Sequence, residues 1–150
     1  MQGKNPNQQR GGGSVPLPSD QDLARIIRGN TLEDAQLLVE KARALGRALH
    51  DKGLTTSQIR NIYGTVRQLE AQWPRGAPNP EAARELVLLK PKLAYQAARQ
   101  PHKGVEELAD VLGRAIDKVG ADREHFGRFV DFFEAILAYH YHREREAGGK

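Results

Sequence analysis

The residues of this chain best spaced to do chemistry are basic, and the chemistry is phosphate binding. Arg60 and Arg67 stand seven apart with Gly64 between them, and Lys92 and Arg99 stand seven apart with Tyr95 between them. Seven residues make about two helical turns, so each pair shares one side of its helix. Gly64 removes bulk and lets a backbone approach. Lys90 and Pro91 precede Lys92 inside the helix-periodic stretch Leu88-Leu89-Lys90-Pro91-Lys92-Leu93-Ala94-Tyr95-Gln96-Ala97-Ala98-Arg99. A proline there removes one backbone hydrogen bond and clashes with the Val87 carbonyl, at roughly 3 kcal/mol. We read it as a bend with Lys90 and Lys92 on either side, and Tyr95 and Arg99 following on the Lys92 face. Lys41, Arg43, Arg47 and Lys52 add a basic run earlier in the chain. Lysine and arginine that neutralise phosphates bind in a salt-sensitive, sequence-independent way.

Other chemistries lack their residues. The chain has no cysteine, which removes thiolate metal sites and cysteine nucleophiles and suits a reducing cytoplasm. Gly11-Gly12-Gly13 has no flanking helix or strand, so it is no phosphate loop. His140 and His142 point about 200° apart on a helix and cannot share a metal from it. His50, His102 and His125 are isolated and read as surface or boundary residues. Glu106-Glu107 and Asp131/Glu134 read as solvated helix faces. Glu134, beside Phe132-Phe133, is a salt-bridge partner or a contact to another chain. No catalytic residue, metal ligand or cofactor is expected, and no apolar run is long enough to cross a membrane.

Positioning falls to helices. Residues 1–18, rich in Gly, Asn, Gln and Pro, read as a flexible arm. Residues 19–146 read as one all-α domain, a compact bundle of about five helices. A short helix from Ser19 to Arg28 would precede the five. Apolar stripes at helical period mark those: Ala35-Leu38-Ala42-Leu45-Leu49, Ile59-Ile62-Val66-Leu69-Trp73, Leu86-Leu89-Leu93-Ala97, Val105-Leu108-Leu112-Ala115-Val119 and Phe126-Val130-Phe133-Leu137-Tyr141. Thr31 and Thr55 are expected caps, the latter with Gln58. Pro80 suits a first helical position, and Gly53, Pro101 and Gly120 act as stops. Charge is uneven. Residues 41–103 hold twelve Lys/Arg against four Asp/Glu, and residues 104–146 hold six against ten. This suggests a basic face and an acidic face with different partners.

Three segments together resemble one family. They are Leu54-Thr55-Thr56-Ser57-Gln58-Ile59-Arg60-Asn61-Ile62-Tyr63, Leu88-Leu89-Lys90-Pro91-Lys92-Leu93-Ala94-Tyr95, and Phe129-Val130-Asp131-Phe132-Phe133-Glu134-Ala135-Ile136-Leu137-Ala138-Tyr139-His140. In order, spacing and length the chain is similar, over about residues 31–142, to the small helical subunit of the type III-A (Csm) CRISPR–Cas effector complex. The resemblance implies a non-catalytic, cytoplasmic subunit of an antiviral ribonucleoprotein. Copies of it stack as an inner filament along the guide (CRISPR) RNA and target RNA, beside backbone and large subunits that carry out cleavage. It implies RNA contact for Arg60, Lys90, Lys92 and Arg99. Lys52, Arg67 and Arg128 lie close to the matched motifs and are weaker candidates. Phe129, Phe132, Phe133 and Tyr139 would be core or subunit contacts. The acidic end would meet the basic face of a neighbouring copy through Glu106, Glu107 and Asp110.

Two other readings fit the residues. The turn from Lys52 to Tyr63 suits a helix-turn-helix DNA binder reading bases with Thr56, Gln58 and Arg60. A helical protein–protein adaptor without nucleic acid would use the same amphipathic helices.

Overall fold

Five helix starts carry the side chain that satisfies their first free N–H groups. Ser19, Thr31 and Thr55 accept from Asp22, Asp34 and Gln58, whose side chains reach back to the cap N–H. Asn79 Oδ1 accepts from Ala82 N–H ahead of Pro80, and Asp122 Oδ1 accepts from His125 N–H. In the computed structural model, which describes residues 17–99 and 103–148, these signals open real helices. They are α1 Asp20–Arg28, α2 Leu32–Asp51, α3 Thr56–Gln72, α4 Pro80–Arg99, α5 Lys103–Val119 and α6 Arg123–Gly148, with no strand among the described residues. Gly53 and Gly120 take positive φ at the turns after α2 and α5, where a side chain would be strained. Pro101, His102 and most of the expected arm lie outside the described residues.

Among the described residues the helices number six, which corrects the expected bundle of about five. Short α1 belongs to the core because Leu23, Ile26 and Ile27 are wholly buried against α5 and α6. The chain before it is pinned too. Pro18 is buried, and its carbonyl accepts from Arg114 Nη1 at 3.0 Å.

Helix α6 is the centre, packed by α1, α2, α3 and α5. One apolar stripe is too narrow for that role. Phe129, Phe132 and Ile136 are wholly buried alongside Phe126 and Phe133, whereas Tyr141, expected in the stripe, is exposed. Phe126 stacks on Trp73 at 4.9 Å, and Phe133 meets Tyr63 edge-on at 5.2 Å, so aromatic contacts tie α3 and its exit to α6.

Helices α2 and α6 run in the same direction and pack most extensively. A Cβ on Gly46 would sit 2.6 Å from the Ile136 carbonyl and 2.9 Å from the His140 nitrogen. Glycine at this position lets the two backbones close. Below the contact, the buried His140 ring donates from Nε2 to the Leu54 carbonyl at 2.6 Å and meets His50 edge-on. His50 Nε2 faces Glu144 at 2.9 Å, and Arg143 grips Asp51 with two nitrogens.

Helix α4 runs unbroken through Pro91. Both Pro91 and Val87 are exposed, so the Val87 carbonyl that loses its donor faces water. That lowers the cost of the proline without closing the break.

Two outcomes follow. Gly46→Ala gains about 1 kcal/mol of helix propensity. It loses more, about 1–3 kcal/mol, because the crowding atoms are backbone and cannot rotate away. Denaturant unfolding should show net destabilisation with an unchanged slope. Second, burial lowers the His140 pKa from its usual 6.5, because the charged ring would bury a second N–H at Nδ1, which has no acceptor. The unfolded chain then binds the extra proton, so this stability is complete above about pH 6.5 and is lost as pH falls below it. The carboxylates with lowered pKa, Asp22, Asp34, Asp51 and Asp122, act only below 3.8. Thermal melts between about pH 7.5 and 5.5 should show the drop, and His140→Gln should flatten it.

Candidate nucleic-acid interface

Helices α3 and α4 form an antiparallel hairpin joined by residues 73–79, and they touch sparsely. Helix α3 spends Ile59, Ile62, Val66 and Leu69 on the core, and α4 spends Leu86, Leu89 and Leu93. By helical phase, Ser57, Arg60, Asn61, Thr65 and Gln68 then look across to Glu85, Lys92 and Gln96. The space between is a groove. At one end Arg60, Ser57, Asn61 and Gln96 line a cavity of about 570 Å³ with Val105 beneath. Further along, Lys92 faces Thr65, Gln68 and Gln72 over about 140 Å³. Arg60 and Lys92 are both exposed, and neither makes an ion pair among the described residues. Gly64 borders nothing within 4 Å of where its Cβ would stand.

The other expected basic residues are engaged. Lys52 lies 3.8 Å from Glu107, with both side chains mostly buried. Lys90 bonds to Asp117 on α5. It cannot share the Lys92 side, because two positions on a helix turn about 200°. Arg67 pairs with Glu70 at 2.8 Å on its own helix. Arg99 lies over the Tyr95 ring at 5.7 Å, at the open end of α4. Arg128 donates to the Ile27 carbonyl at 3.3 Å, tying α6 to the end of α1. The structure therefore sets Arg60 and Lys92 along the α3/α4 groove, in two separate cavities, with Arg99 beyond. Lys52, Lys90 and Arg128 are not brought there.

The two charge blocks meet at several pairs within the chain. Glu107, Asp117, Glu124, Glu144 and Glu146 of the acidic block pair with Lys52, Lys90, Arg75, His50 and Arg47 of the basic block. Of the three acids expected to meet a neighbour, Glu107 is held by Lys52 and Asp110 by Arg114, leaving exposed Glu106. Part of the expected opposition of two faces is thus internal complementarity.

One acidic area stays open on the α6 flank of α3. Burial, Glu134 and Glu70 raise the Asp131 carboxyl, and burial and Glu134 raise the Tyr63 hydroxyl. That flank repels phosphate. Glu134 makes no ion pair among the described residues, so the arginine partner considered from sequence does not occur there.

The DNA-reading set is also reduced. Gln58 Oε1 caps the Thr55 N–H at 2.9 Å, and Thr56 is half-buried, leaving Arg60 alone. The neutral lining residues Ser57, Asn61 and Gln96 were missed in sequence. Their signal was helical phase: Ser57 and Asn61 stand three before and one after Arg60, and Gln96 stands one turn after Lys92.

Unfolding separates the two groups of basic residues. Arg60→Ala and Lys92→Ala should change stability by no more than about 0.5 kcal/mol. Arg128→Ala should cost about 1–2 kcal/mol, since it leaves the Ile27 carbonyl without its charged donor. Equal losses at all three positions would contradict the assignment.

Neither a curated protein nor a solved structure matches the chain. The family profile Csm2 Type III-A matches residues 32–146, from α2 to near the end of α6 and including the whole groove hairpin. With most of its length matched, the chain belongs to the Csm2 family, the small subunit of the type III-A CRISPR complex.

Proposed function

We propose that this subunit is a non-catalytic, cytoplasmic RNA-holding element. Copies stack as an inner filament, and each lays its α3/α4 groove along the duplex of guide RNA and target RNA beside the backbone and large subunits. The observation that supports this reading is the groove with Arg60 and Lys92, neither of which makes an ion pair among the described residues, although Glu85 lines the Lys92 end. Two positive charges in a polar, open groove suit phosphate oxygens. The amides and hydroxyls of Ser57, Asn61, Gln68 and Gln96 add neutral donors for phosphate or 2′-hydroxyl groups. A subunit that must accept any guide has no use for base readout. Recognition by shape and phosphate suits that need, because A-form helices are read through backbone and 2′-hydroxyl contacts.

Magnitude favours several copies. Two or three cations give a single copy only weak, salt-screened affinity. Copies held side by side convert later contacts into intramolecular ones and multiply the total. Arg99 lies beyond the groove, at the end of α4. Lys90, Lys52 and Arg128 hold the chain's own acids or carbonyls away from this surface, and Arg67, on the Arg60 side of α3, is paired with Glu70.

The test is target-RNA binding by the assembled complex across a salt series. Removing Arg60 and Lys92 together should weaken binding. It should also lower the salt slope by about one for each phosphate that a copy no longer neutralises. Lys90→Ala, whose partner is Asp117, should leave the slope close to wild type. An unchanged affinity and slope in the double variant would contradict the reading. Preference for one duplex DNA sequence over RNA would favour the DNA-binding alternative.

A further inference from the structure

The outer face of α2 carries apolar side chains that the fold does not use. Leu32 is 69% exposed and Val39 is 40% exposed. With Ala35 and the stems of Arg43 and Arg47 they line an open, mostly apolar depression of about 720 Å³. Exposed apolar surface of that kind marks an interaction site. Helix α4 carries the converse shape, an outward ridge of Leu88 and Tyr95, with Tyr95 63% exposed. Leu32 and Val39 are seven residues apart, and so are Leu88 and Tyr95. Both pairs therefore repeat at about two helical turns.

Charge matches the same pairing. Along α2 the exposed acids Glu33 and Glu40 come before Arg43 and Arg47. Along α4 the acids Glu81 and Glu85, which outnumber Arg84, come before Lys92 and Arg99. Laid antiparallel, each acidic half faces a basic half. Helices α2 and α4 do not touch within one chain, since α2 packs on α1, α5 and α6 while α4 packs on α3 and α5. The two faces are available to different neighbours.

We propose that the Leu32–Val39 face of α2 receives the Leu88–Tyr95 ridge of α4 from a second copy of this chain. This deepens the stacking reading above and rests on it. The contact joins two different faces, so it is heterologous and propagates copy to copy instead of closing as a two-fold dimer. It also moves the self-contact away from the acidic α5 surface, whose Glu107 and Asp110 are held internally. Lys92 lines the groove and stands one turn from both Leu88 and Tyr95, so the neighbour and the RNA would meet at this side chain.

The chain lacks cysteine, so introduced thiols report without background. Purified chains carrying Val39→Cys and Leu88→Cys, mixed and oxidised, should form a mixed disulfide. Either variant alone should form little, as should an Asn61→Cys control paired with each. Val39→Glu should weaken self-association in sedimentation about tenfold while leaving the melting temperature unchanged. Disulfide dimers of Val39→Cys alone would indicate a symmetric α2–α2 contact and overturn the proposal. A mixture that cross-links no better than the control would also overturn it. Loss of the mixed disulfide on adding RNA would assign the α4 ridge to RNA and likewise overturn it. A mixed disulfide in a preparation that binds no RNA would support the contact and count against the RNA reading alone.

Discussion

The contact that the rest of the molecule depends on is the near approach of α2 to α6 at Gly46. Backbone meets backbone there, with the Ile136 carbonyl filling the space a side chain would need. Closing this contact brings His140 under Leu54 and aligns Arg143 with Asp51. It also fixes α6 as a helix buried by four neighbours, which α1, α3 and α5 then complete. Because α2 spends Ala42, Leu45 and Leu49 on this contact, its opposite face is left to solvent with Leu32 and Val39.

Electrostatics follows the same frame. A bundle turns charge that is segregated along the chain into charge that is adjacent in space. The basic block from α2 to α4 and the acidic block of α5 and α6 meet at Lys52–Glu107, Lys90–Asp117, Arg75–Glu124 and Arg47–Glu146. Surface pairs of this kind each contribute at most about 1 kcal/mol. Their larger effect is selective. They engage four of the twelve Lys/Arg of the basic block, and the α3/α4 groove is a place where Arg60 and Lys92 have no ion pair among the described residues.

Local chemistry was the most legible part of the sequence. Thr31, Thr55 with Gln58, and Pro80 after Asn79 mark helix starts within a few residues, because capping needs only short-range partners. The all-helical class follows from period, and the α3 and α5 stripes are all buried. Long-range facts were less legible. The breadth of α6 depends on how many neighbours it has, and a single stripe carries no such count. His140 reads as a polar residue, yet it is buried because the Leu54 carbonyl needs a donor. The separation of Lys90 from Lys92 was available from helical phase, but Asp117, the acid that holds Lys90, lies 27 residues away in sequence. Pro91 was read as a functional bend; α4 continues through it as one helix, with Pro91 and Val87 both exposed.

The candidate RNA surface and the candidate stacking surface share α4 and meet at Lys92, which lines the groove one turn from the exposed Leu88 and Tyr95. A subunit built this way aligns grooves by stacking and grips RNA by the grooves so aligned. The most direct measurement is photo-crosslinking of guide and target RNA to this subunit in the assembled complex, with the attachment sites read by mass spectrometry. The expected result is attachment on peptides around Arg60, Lys92 and Gln96. The α6 segment holding Asp131 and Glu134 should carry none. Attachment concentrated on α5 or α6, with the α3/α4 hairpin untouched, would contradict the groove as the RNA site.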